Sequence, residues 1–245
     1  MANAKDLEPL ESNFKIFVAG DPGTGKSRFG STFPGPTFLF DFDKGALSYR
    51  GKDVEYEQYD RSPQGWVKFE KDCARIVKAA RAGEYKTIIV DSTTALAELA
   101  MERALSLDPK RSATGGPLWN VHYGMVKNLV EGKLRQLIDV PCHVLMIGHL
   151  KFEYDSETGA VIKITPMLPG DLSIRFPGNF DEYYIATTKM VNQKTQYVLQ
   201  TATRGLLCAR SRISGEEKLL PDFMPNDFQE LIANIEKGAS PMKKT

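Results

Sequence analysis

Eight consecutive residues, Gly20-Asp21-Pro22-Gly23-Thr24-Gly25-Lys26-Ser27, fit the pattern G-x-x-x-x-G-K-[ST] in full. Glycines at these positions let backbone N–H groups turn inward and cradle phosphate oxygens. A helix is expected to start near Lys26, and its N-terminus adds partial positive charge. Lys26 is then placed to reach β- and γ-phosphates, and Ser27 to ligate Mg²⁺. Arg28 closes the stretch read as nucleotide-contacting. It stands where the third glycine of G-x-G-x-x-G would fall, so the dinucleotide fingerprint is absent. A second acid belongs with this loop. Asp91 ends the apolar run KTIIVD, and an acid at the carboxyl end of a buried parallel strand sits beside such a loop and can hold Mg²⁺. The competing reading of Asp91 is a cap on the helix that follows.

The surrounding elements must hold these groups in place. NFKIFVA (13–19) reads as a strand leading into the loop, and Pro34-Gly35-Pro36 stops the helix after it. TFLFD (37–41) reads as a second buried strand and 54–59 as a weaker third. Ser62-Pro63 opens a helix to about residue 82, with Trp66, Phe69, Cys73, Ile76 and Val77 at helical spacing. We read that face as core. A helix follows Asp91 to about 105, another spans 119–138, and residues 142–148 form a strand. Residues 151–170 are a polar stretch with a hairpin around 156–159. Residues 183–189 and 195–201 read as paired strands around Asn192, and 205–212 as a further strand. Asn226 is read as the cap of a last helix to about 237. Strands alternating with helices predict a mostly parallel twisted sheet flanked by helices, with an added antiparallel hairpin. The expected division is a flexible segment 1–13, one domain 14–237 and a disordered tail 238–245.

Composition excludes several classes. The 245 residues are 42% hydrophobic and 26% charged, which is ordinary for a globular chain. No apolar run approaches the ~18 residues of a membrane helix, and the polar, acidic start is not a signal peptide. Lys and Arg number 32 against 31 Asp and Glu, so no bulk positive field announces a nucleic-acid binder. Three scattered cysteines, Cys73, Cys142 and Cys208, fit no zinc or disulfide framework, and a reducing cytoplasm is the expected compartment. His122 and His143 have no partner at metal spacing and read as structural.

Further segments carry a family resemblance. FLFDFD (38–43) resembles the second strand of RecA-like ATPases, which ends D-x-E. VLMIGH (144–149) resembles the strand whose terminal polar residue senses the γ-phosphate and leads into a DNA-binding loop. ARSR (209–212) resembles the basic-x-basic end of a late strand in RecA-like and DnaB-like proteins. From residue 14 to about 235 the chain resembles a minimal RecA-like P-loop NTPase core. It is most similar to the small phage and prophage single-strand annealing proteins of the Sak type. The resemblance implies ATP and Mg²⁺ as cofactors and a catalytic set of Lys26, Asp43, Asp91, His149, Arg210 and Arg212. Asp43 takes the place of the acid that activates water, with a shorter side chain that implies slow hydrolysis. His149 takes the sensor's place, and Arg210 and Arg212 would reach the nucleotide of a neighbouring subunit. An ordinary strand-end histidine and a solvated basic strand end are the competing readings.

The resemblance also implies two loops that hold single-stranded DNA. The first, 107–119, carries Lys110, Arg111 and Trp119; the second, 151–170, carries Lys151 and Lys163, and Arg175 follows it. Cations contact phosphates and aromatic rings stack on bases. Glu153, Asp155 and Glu157 work against the second loop, and ordinary surface loops are the competing reading. The implied protein is a DNA-stimulated ATPase that forms a ring or filament on single-stranded DNA, anneals complementary strands and works beside a single-stranded DNA-binding protein. The alternatives are a P-loop phosphotransferase resembling a nucleotide kinase, and a nucleotide-gated binding protein with little turnover.

Overall fold

The computed structural model describes residues 13–214 and 219–239. Strand β1 (Lys15–Ala19) runs through the middle of the sheet. Its side chains alternate between two apolar clusters, Phe17 and Ala19 on one face, Ile16 and Val18 on the other. Both of its neighbours are parallel to it. Ile16 lies opposite Leu145 of β5 (His143–Gly148) and opposite Glu182 of β8 (Glu182–Val191). Beyond β5 come β4 (Thr87–Asp91), β2 (Thr37–Asp41) and β3 (Val54–Gln58), all parallel. Every residue of β2 and β4 is buried, as expected of strands covered on both faces.

The far side of β8 is antiparallel. The chain turns through Asn192 and Gln193, both at positive φ, into β9 (Lys194–Gln200). Two left-handed residues match the twist of a tight hairpin. A three-residue β11 (Phe223–Pro225) adds to β9. The strand expected over 205–212 shrinks to β10 (Arg210–Ser211). The cause is crowding, because β9 takes the edge of β8 from Ile185 onward and leaves only the three residues Glu182, Tyr183 and Tyr184, of which β10 pairs with the first two.

Three helices cover the Phe17 face: α2 (Pro63–Arg81), α3 (Thr93–Leu107) and α4 (Trp119–Ile138). Ser62 caps α2 by accepting from Gly65 N, and Ser92 caps α3 by accepting from Ala95 N. Trp66 and the Phe69/Ile76 face of α2 are core, as the spacing predicted. The Ile16 face is covered by α1 (Lys26–Gly30) and α6 (Phe228–Ala239), with Phe33 and Phe228 4.2 Å apart. Between β5 and β8 stands a separate hairpin, β6 (Leu150–Tyr154) with β7 (Val161–Pro166), followed by α5 (Leu172–Arg175) and a 3-10 turn at Phe176–Asn179.

One further departure matters for the site. Asp227, not Asn226, caps α6, accepting from Gln229 N at 2.8 Å. Asn226 instead points its amide at the glycine-rich loop, because it is the residue that joins β11 to the turn packed on that loop. α6 runs to Ala239, two residues into the stretch expected as tail. The rest of that tail, and the N-terminal segment apart from Asn13, lie outside the described residues.

Candidate nucleotide site

The glycine-rich loop sits at the carboxyl end of β1, with Gly20 N bonded to Gly148 O of β5. Gly23 and Gly25 have φ of 79° and 85°. A side chain on Gly25 would meet Asn226 Nδ2 at 2.7 Å and the Tyr197 ring at 2.8 Å, so both backbone angle and space demand glycine there. α1 is only five residues long, so its dipole is small and anion attraction rests on the loop amides and Lys26. The Lys26 ammonium is buried and donates to Gly20 O and Asp21 O at 2.8 Å each. Burial lowers its pKa, partly offset by Asp91, Asp21 and Asp43. A cation kept inside an open loop on carbonyl oxygens alone is arranged for anionic oxygens.

Parallel register places the acids. Asp41 and Asp91 are partners across β2 and β4, so both end at the same level as Ile147 of β5. Asp91 accepts from Ser27 Oγ at 2.6 Å and from Tyr49 OH at 3.4 Å. Burial, with Asp43 and Asp41 nearby, pushes its pKa up to about 6 despite the Ser27 bond and Lys26. Asp91 does not cap α3, since Ser92 holds that position. Asp41 is fully buried and accepts from Gly45 N, Ala46 N and Gln58 Nε2. It thereby shapes the turn that carries Asp43. Asp43 Oδ2 lies 3.5 Å from His149 Nε2. Burial pushes the Asp43 carboxyl up, but hydrogen bonding to His149 and Ser92 outweighs it and leaves the pKa below the usual value. His149 is held in turn by its N–H on Thr94 Oγ1 at 3.1 Å.

Lys26, Ser27, Asp43, Asp91 and His149 line one cleft of about 360 Å³, with Pro22, Gly23 and Arg28 on its rim. Oxygen donors from Ser27 and Asp91 suit Mg²⁺, which keeps waters and takes its remaining ligands from substrate phosphates. Tyr49, Tyr197 and Asn226 also reach this region. No short motif marks them, because they arrive from distant parts of the chain.

The other anticipated residues fall elsewhere. Arg210 donates to the carbonyls of Pro177, Gly178 and Phe180, and Arg212 to Gly178 O and Asp181, so within one subunit they pin the 176–181 turn. Arg111 donates to Leu105 O and Asp108 O and closes the end of α3. Trp119 is 72% exposed and packs on Tyr123 at 4.6 Å. Lys151 and Lys163 come together across β6 and β7, on either side of Glu153 at 3.6 and 4.0 Å. Arg175 is paired with Glu131 and Asp171. His122 Nδ1 accepts from Leu118 N, and its other ring nitrogen meets Asp108 O. His143 accepts from Phe14 N and stacks on that ring, and burial takes its pKa down to about 4.

A glycine-rich phosphate loop, a strand-end acid beside it and a mostly parallel sheet with β1 next to β5 define a P-loop nucleotide-binding domain. A profile of the AAA domain family matches residues 12–213, and the chain belongs to that family of P-loop ATPases. A KaiC-like protein from the hyperthermophilic archaeon Pyrococcus horikoshii OT3 aligns over 82% of each chain, with 11% identity and a TM-score of 0.45. No curated protein sequence matches the chain. Among the described residues no helix is long and apolar enough to cross a membrane.

Proposed function

We propose that the chain is a Mg²⁺- and ATP-dependent ATPase that oligomerises on single-stranded DNA and promotes annealing of complementary strands. The observation that carries the reading is the continuity of the phosphate cleft with an exposed hairpin. His149 faces Asp43 in the cleft, and the next residue, Leu150, begins β6. Met167 N, just past β7, returns to His149 O at 2.8 Å. Both feet of the hairpin are thus tied to His149 in the cleft, and its strands carry Lys151, Tyr154 and Lys163.

Each cleft residue has a role in this reading. The loop amides and Lys26 bind the phosphate chain. Ser27 and Asp91 would hold Mg²⁺, which when bound neutralises charge on the β- and γ-phosphates. Asp43 is ionised at neutral pH and accepts a hydrogen bond from water. Its low basicity suits it to orienting the water rather than removing a proton far in advance. His149 holds Asp43 in place and transmits its state to β6.

ATP hydrolysis measured with and without single-stranded DNA tests this, with products identified. DNA-stimulated release of phosphate supports the proposal. A phosphorylated small acceptor would replace it with a phosphotransferase, and nucleotide binding without turnover with a gated binding protein. The cytoplasm and a single-stranded DNA-binding partner follow from the same reading.

A further inference from the structure

A groove of about 900 Å³ opens beside the phosphate cleft, between β9 and the chain from β11 into α6. It shares Arg28 and Tyr197 with the cleft, so the two are continuous. The Tyr197 ring packs against the loop at Gly25, and the exposed Arg28 guanidinium lies 5.5 Å from its centroid. A flat ring backed by a cation, next to the last turn of a phosphate loop, is a surface on which a nucleobase stacks. Asn226 comes from beyond the family match at 12–213, yet its Nδ2 donates to Gly25 O at 2.7 Å. Its Oδ1 is buried without a hydrogen-bond partner among the described residues. Burying an amide and leaving one half unmade is costly. The compensating feature is the other half, which grips the phosphate loop.

We infer that the C-terminal segment completes the nucleotide site: the base of the bound nucleotide stacks on Tyr197 in this groove, with Arg28 beside it, and Asn226 is a positioning residue that sets the loop at Gly25. This rests on the reading that the loop binds the phosphate chain. Tyr197 therefore acts on the nucleoside and Asn226 on the phosphates, and the two are separable by a ligand that has no nucleoside.

Isothermal titration of the full chain with Mg·ATP and with Mg·tripolyphosphate tests this. Tyr197→Ala is expected to weaken ATP binding about tenfold to a hundredfold, the range for losing one stacked base, and to leave tripolyphosphate unchanged. Tyr197→Phe should restore ATP binding. Asn226→Ala should weaken both ligands by a similar factor. Tyr197→Ala binding ATP as wild type does, or losing both ligands equally, overturns the base site. Asn226→Ala changing neither overturns the positioning role. If Tyr197→Ala does not fold, Arg28→Ala on the surface takes its place, with a clearly larger loss for ATP than for tripolyphosphate expected and an equal or absent loss overturning the proposal. Wild-type protein that binds neither ligand would overturn the phosphate-loop reading itself, and this inference with it.

Discussion

Asp91→Asn should make the nucleotide-free protein more stable at neutral pH while removing its Mg²⁺-dependent turnover. Asp91 is 4% exposed, and its pKa is raised from 3.8 to about 6, chiefly by burial. The folded state therefore holds the proton more tightly than the unfolded chain does. The stability this contributes is fully present below pH 4 and is lost as pH rises through about 6. Roughly two units at 1.36 kcal/mol each put the loss at about 3 kcal/mol above pH 7. Asparagine has no charge to bury and still accepts from Ser27 Oγ, so it avoids that loss. At roughly 2–4 °C per kcal/mol for a domain of this size, the variant should melt about 6–12 °C higher at pH 8. Thermal unfolding in EDTA, across pH 5 to 8, checks this. The gap between variant and wild type should be about half its full size at pH 5 and reach its full size by pH 8. A gap that is absent at pH 8, or the same at every pH, refutes the argument that the site keeps a buried charge at the expense of stability.

Lys26→Ala should abolish productive ATP binding, because Lys26 is the buried cation of the cleft, and full ATPase activity in a folded variant would contradict the loop's role. Asp43→Ala should reduce kcat about a hundredfold or more with a smaller change in nucleotide affinity, and steady-state kinetics beside direct binding separate the two. Lys151→Ala/Lys163→Ala and Lys110→Ala/Arg111→Ala should each weaken single-strand binding and flatten its salt dependence. Glu153→Gln should strengthen it by freeing the two hairpin lysines, and fluorescence anisotropy over a salt series reads all three. Arg210→Ala/Arg212→Ala protein should be inactive alone but regain activity when co-assembled with Lys26→Ala protein. It should also melt lower, since both guanidinium groups pin the 176–181 turn, and absence of rescue at every mixing ratio would remove the trans role.

The phosphate loop and the alternating strands were legible in the sequence because their causes are local. Glycine at positive φ, proline at a helix start and an apolar run between turns act over a few residues. β2 and α4 accordingly run over the residues their patterns predicted, and the two-residue turn at Asn192 falls where its residue types placed it. The Gly20–Ser27 loop and Asp91 were paired by motif, and the fold puts Ser27 and Asp91 in contact across 64 residues. What the tertiary structure alone decided depends on which edges and faces remain free once the sheet is assembled. β10 is short because β9 already occupies most of the β8 edge, and no property of residues 205–212 reveals that. Arg210 and Arg212 are spoken for by carbonyls of a turn some thirty residues earlier, and Arg175 by Glu131. Asn226 looks like a helix cap until β11 carries it to Gly25, 201 residues away in sequence. Hydrogen-bond partners of that kind are set by the packing of distant segments, and sequence periodicity contains no term for them.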